Sequence, residues 1–183
     1  FDSQEHIRLR AYIAYRKGLE KPSRVDVEVL NEEYWNKYLK LGRPAFADVW
    51  GEELKLAKIK ADAPVTDKEQ QAIEKRMAGV RKGDVVFVAF MPRGFGLSAM
   101  TQDERHITHS RRRFMLLGQT LAGMQVWDVR RCVRLVQDLG YACPVTLWGY
   151  DTTSSQVALA ALFEQIATVH VKGYPENDKV QPD

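Results

Sequence analysis

The sequence predicts an α/β protein, a three-layer sandwich in which a mostly parallel sheet carries helices on both faces. Three observations lead there. Residues 85–91 read Val-Val-Phe-Val-Ala-Phe-Met, an unbroken apolar run suited to a strand buried on both sides. Residues 144–149, Pro-Val-Thr-Leu-Trp-Gly, repeat that pattern after a long helical stretch. Strand, helix, strand, helix and strand then follow with short connections, an order that calls for parallel pairing beneath helices. The chain of 183 residues suits one domain over 1–183, and a chain of this size should bury about 70% of its unfolded surface.

The elements are justified in order. Residues 7–15 begin with apolar and polar side chains in alternation and read as a strand. Gly18 and Pro22 supply turn chemistry. Val25, Val27 and Val29 alternate with Asp26 and Glu28, the period of a second strand. These two strands could form a hairpin or be neighbours in a larger sheet. Asn31 can cap a helix whose first turn holds Glu32 and Glu33, and Gly42-Arg43-Pro44 is expected to close it. Residues 43–65 read as a loop with one turn of helix around 49–54. Thr66 and Glu69 fit a capping box. Ile73, Met77 and Val80 share a stripe, and Gly83 stops that helix. Residues 107–139 read as helical, with a break at Gly118 or Gly123, and Val129, Val133 and Val136 share one face. Residues 154–165 suggest a compact helix built on Val157, Ala158, Ala160, Ala161, Leu162 and Ile166. Val169-His170-Val171 starts another strand.

Composition narrows the function. Lys and Arg number 27 against 24 Asp and Glu, a net of +3, too balanced for a dedicated nucleic-acid binder. No run approaches the roughly 18 apolar residues of a spanning helix, and no membrane partner is expected. Two cysteines, Cys132 and Cys143, exclude a disulfide scaffold and an all-cysteine zinc site, and leave open whether they pair. The chain starts at Phe1 without a Met or a leader and reads as a mature or trimmed product. The compartment stays open, secretion or a periplasm included.

In an open α/β sheet, ligands sit beyond the carboxyl ends of the strands. Two such ends stand out. One is Pro92-Arg93-Gly94-Phe95-Gly96-Leu97-Ser98, which makes Arg93 and Gly94 candidate substrate contacts. The other is Gly149-Tyr150-Asp151-Thr152-Thr153, between a buried strand and a helix. The second has the context of a nucleophile elbow, Gly-x-Ser-x-Gly, with Asp151 where the pattern has Ser and Thr153 where it has the second Gly. Asp151 has two readings. One is a carboxylate nucleophile. The other, which the missing second Gly favours, is a turn residue capping the next helix. His106 and His109 share a helix face but lack a third spaced ligand, so no metal is expected. Arg105, Arg111, Arg112, Arg113, Arg130, Arg131 and Arg134 make a basic segment that could meet an anion or cover apolar surface with its stems. No Gly-x-Gly-x-x-Gly fingerprint and no Cys-x-x-Cys is present, and no cofactor is implied.

These segments resemble the α/β-hydrolase superfamily. The loop from Phe90 to Ser98, with Pro-Arg-Gly-Phe-Gly-Leu-Ser, resembles the Asp-x-Arg-Gly-x-Gly-x-Ser loop after the fourth strand. Val126-Trp127-Asp128-Val129-Arg130-Arg131 resembles the helix before the elbow, and residues 144–163 resemble the elbow strand, the elbow and its helix. The combination is most similar to the acetyl xylan esterase-like branch, over residues 84–172, with 7–39 fitting earlier strands and a helix more loosely. The resemblance implies an incomplete hydrolase-like domain, truncated at its carboxyl end and at its amino end. It implies an ester substrate, an acylated polysaccharide or a small ester. It puts Asp151 at the nucleophile position and the Thr152 N–H as one oxyanion donor. The other donor falls near Asn31 and Glu32. No residue fills the final His position, and His170 lies within a strand, so the chain alone is expected to lack turnover. The competing expectation is a non-catalytic binding or structural module of a larger protein. The edge strand at Val169–Val171 should be covered, by a missing carboxyl-terminal segment or by a second copy in a homo-oligomer.

Overall fold

A computed structural model describes residues 1–60, 62–99 and 103–173. Among the described residues five strands form the main sheet, in the order β3-β5-β4-β6-β7. They are β3 (Ala11–Ala14), β4 (Arg24–Val29), β5 (Val85–Phe90), β6 (Val145–Tyr150) and β7 (Thr168–Lys172). Strands β5, β4, β6 and β7 run parallel, and β3 runs antiparallel to β5 at one edge. A separate ribbon pairs β1 (Asp2–Gln4) with β2 (Ile7–Arg8). This mixed, mostly parallel sheet with helices is an α/β fold.

The helices are α1 (Glu32–Phe46), α2 (Gly51–Leu56), α3 (Asp67–Lys82), α4 (Glu104–Leu116), α5 (Leu121–Asp138) and α6 (Ser154–Ala161). Alternate side chains of a strand point to opposite faces, and the sheet separates two cores by that rule. Val86, Val88 and Phe90 of β5 pack with Val25, Val27 and Val29 of β4 and with Val129, Val133 and Val136 of α5. Val157 and Ala160 of α6 join that core. Ala89, between Val88 and Phe90, points to the other face and packs with Trp35 and Leu39 of α1, Leu54 of α2 and Trp50. Helices therefore cover both faces.

Several expectations need correction. Residues 7–15 are not one strand; β2 and β3 are separated at Leu9, which is 3% exposed and fills the core rather than alternating. Strands β3 and β4 are not a hairpin, because β5 lies between them. Helix α1 does not stop at Gly42-Arg43-Pro44 but carries Pro44 in its last turns. A side chain at Gly42 would collide with the Trp50 ring, so that glycine serves close packing. Arg43 is buried, donating to the carbonyls of Ala63 at 3.2 Å and Pro64 at 3.0 Å, which holds the helix past its expected end. Within 43–65 the turn of helix expected around 49–54 is present as α2.

Thr66 and Glu69 form the expected capping box of α3, and Gly83 ends it. The break in the long helix falls at Gly118, with φ +68, while Gly123 lies inside α5 and donates its N–H to Thr120 Oγ1. Helix α6 ends at Ala161, not at 165; Leu162 and Phe163 are exposed beyond it. No described helix is long and apolar enough to cross a membrane.

Candidate functional site at the strand-to-helix turn

From β4 the chain steps outward to β5, then crosses to β6 on the other side of β4. That reversal leaves a crevice at the carboxyl ends of β4 and β6. Residues 149–154 occupy it. At Gly149 a side chain would sit 2.9 Å from Ser154 Cα and 3.0 Å from the Thr153 carbonyl oxygen, so the turn closes only over glycine. Asp151 follows with φ +46, a left-handed conformation that Asp tolerates better than most residues. A short 3₁₀ turn, Asp151–Thr153, leads directly into α6.

Thr153 stands where the elbow pattern has its second glycine. It is fully buried, accepts from the Tyr150 N–H at 2.9 Å and donates to the Val29 carbonyl at 2.7 Å. A small side chain is tolerated there because its hydroxyl bonds across to β4. Asn31 does more than cap α1. Its Oδ1 accepts from the Tyr34 N–H at 3.0 Å, and its Nδ2 donates to the Tyr150 carbonyl at 3.2 Å and lies 3.5 Å from Thr152 Oγ1. Ser154 Oγ donates to the Lys172 carbonyl, which ties α6 to the end of β7. The Asp151 carboxylate lies against Gly173, where any side chain would meet it.

Tyr34 and Tyr150 stack beside the turn with centroids 4.3 Å apart. Lys37 lies over the Tyr34 ring at 4.6 Å and Lys172 at 5.8 Å. The Lys37 ammonium titrates above its ordinary value, chiefly through its hydrogen bond to Glu33, with the Asp151 charge a smaller contribution. Glu32 uses its side chain, accepting from the Gly96 N–H at 3.0 Å, and so joins the loop after β4 to the loop after β5.

The candidates from the two strand ends fare differently. Asp151, Thr152 and the Asn31-Glu32 segment gather at one rim. Arg93 does not serve that rim as a substrate contact. It is 8% exposed and turns inward onto Asp128, which is fully buried. Arg93 Nε donates to both Asp128 oxygens, at 3.1 and 2.9 Å, and Nη2 to Oδ1 at 2.6 Å. The Arg93 N–H adds a bond to Oδ2 at 2.8 Å, and Ser3 donates its hydroxyl to the same carboxylate. Gly94, with φ +88, makes the turn itself and donates its N–H to the Ser98 carbonyl. The Arg93 side chain is taken up by this ion pair, and Gly94 shapes the turn. The sequence named Asp128 only as part of a resemblance, and the signal was its place amid the apolar face of α5.

His170 pairs with Trp148 across β6 and β7, their rings stacked at 4.0 Å. The register sets Lys172, not His170, opposite Tyr150, which leaves His170 two residues back from the rim. His106 pairs with Asp103, its own helix cap. Among the described residues no three His, Cys, Asp or Glu side chains converge to hold a metal ion. Cys132 and Cys143 are both free thiols, and burial pushes the Cys132 thiol well up.

A cavity of about 710 Å³ opens elsewhere, between β3, α2 and the loop after β5, and Asp151 does not line it. Trp35, Phe95 and Leu97 wall it, with Glu53 at its side. Glu53 takes hydrogen bonds from Arg10 at 3.1 Å and from the Tyr12 hydroxyl. Burial, then that bond to Glu53, pushes the Tyr12 phenol up, so it stays a donor.

No family model matches the chain, and no curated protein matches it. Among solved structures it is similar to a candidate acetyl xylan esterase from Bacteroides fragilis. The likeness has a TM-score of 0.57 at 12% identity and covers 92% of this chain and 42% of that one. At that identity it shows a distant relationship of fold. The chain spans less than half the length of that neighbour.

Proposed function

We propose that the chain is a hydrolase-like domain, kin to the carbohydrate esterases of the acetyl xylan type, and that it does not turn over esters by itself. The observation that carries this is Asp151, a non-glycine residue at φ +46 between a central parallel strand and a helix. That is the geometry a nucleophile elbow requires. The substrate class, an acylated polysaccharide or a small ester, comes from the resemblance and from the neighbour's name, since fold alone does not fix chemistry. In this reading the Thr152 N–H and a donor near Glu32 face the reacting carbonyl.

A carboxylate can attack an electrophilic carbon and form a covalent intermediate, but release needs a base to activate water. None of the described histidines is hydrogen-bonded to Asp151. The carboxylate rests instead on the Gly173 backbone, and Asn31 and Thr153 hold the turn rigid. These contacts favour, as the second reading, a non-catalytic binding or structural module of a larger protein.

The test is hydrolysis of p-nitrophenyl acetate by the purified chain. The expected rate equals that of buffer. Hydrolysis above background that disappears in a folded Asp151→Ala variant would overturn the proposal.

A further inference from the structure

Helix α4 stands apart from both cores. None of its described side chains is buried, and only one face, with Ile107, Ser110 and Phe114, is half-buried against the body. From Arg105 to Leu117 the sequence contains no acid, and it carries Arg105, Arg111, Arg112 and Arg113. Successive helical residues are about 100° apart. Three consecutive arginines therefore span about 200° of the helix circumference, the side away from Ile107, Ser110 and Phe114. All three are exposed.

Immediately beyond this arc come Met115, Leu116 and Leu117, which are 52%, 87% and 73% exposed. Gly118, with φ +68, then turns the chain back. The apolar residues thus stand exposed at the end of the helix. Along the axis Leu116 lies about 6 Å beyond Arg112, at 1.5 Å per residue.

We propose that the end of α4 is an anchor for an anionic lipid surface. A cationic arc above an apolar tip matches the layering of such a surface, charged headgroups over acyl chains, at the depth to which interfacial helices sink. A protein partner would need a concave, acidic socket shaped to this tip, whereas a lipid surface deforms to accept it. The attachment is peripheral, as no described helix is long and apolar enough to span.

The experiment is co-sedimentation of the whole chain with vesicles of phosphatidylcholine alone, or with about a third phosphatidylserine. Binding is expected to the anionic vesicles only, and to weaken about tenfold or more when salt is raised to roughly 0.5 M. The double substitution Leu116→Glu, Leu117→Glu should abolish it. Arg112→Glu with Arg113→Glu should weaken it about tenfold or more. Both pairs are exposed, and circular dichroism checks that each variant is folded. Four outcomes overturn the proposal: no binding to either vesicle, equal binding to neutral vesicles, binding that survives Leu116→Glu with Leu117→Glu, or self-association that this pair abolishes.

Discussion

Gly149 has no room for a side chain, because its neighbours are the Ser154 backbone and the Thr153 carbonyl rather than flexible tips. Gly149→Ala should therefore cost about 1–3 kcal/mol, the range of overpacking where backbone must move. Asp151→Val should cost about 1–2 kcal/mol, since a β-branched residue resists positive φ, while Asp151→Gly should be close to neutral. Urea denaturation of the three variants checks the order. Asp128 carries more. Removing one partner of a buried ion pair strands the other charge, so Asp128→Ala should lose about 3–5 kcal/mol, and Arg93→Ala added to it should lose little further. Additive losses in that double mutant would refute the coupling. The turn at residue 151 was legible because glycine, strand and helix stand in series. The inward fate of Arg93 was not, because nothing local in Arg93-Gly94 announces a partner 35 residues away on α5.

Helices were legible where the signal is local. The Thr66 and Glu69 box and the valine stripe of α5 involve residues a few positions apart, and both are present as expected. The end of α1 depended on what packs against it: the Trp50 ring over Gly42 and the carbonyls that receive Arg43 outweigh the proline. The stretch between α6 and β7 is held to α5 by Glu164, which bonds Arg130 at 2.8 Å and Arg134 at 3.1 Å. Burial alone would raise the Glu164 carboxyl, but the two guanidinium hydrogen bonds outweigh it and set it below its ordinary value of 4.5. A depressed folded value means the stabilisation is present above pH 4.5 and is lost as pH falls through the lower folded value. Glu164→Gln should thus cost about 1 kcal/mol at pH 7, and the gap to the parent chain should close on acidification. Thermal melts of both proteins from pH 7 down to about pH 3 check it.

Across the whole molecule, the α/β class and the parallel core were readable because apolar runs and short crossovers leave few topologies. Strand order was not, since β3 reaches its partner β5 only after α1, α2 and α3 have passed. Strand β7 ends the sheet with all five residues exposed, Val169 at 38% and Val171 at 43%. Native-state hydrogen exchange should rank β4 slowest and β7 fastest among the parallel strands. Equal protection of β7 and β4 would mean that another strand covers the edge in solution. The Ser3 contact with Asp128 has a kinetic consequence. It closes a loop of 125 residues, and distant closures are entropically slow. The β1-β2 ribbon therefore docks only once α5 exists to receive it, and its place is set by a partner far along the chain.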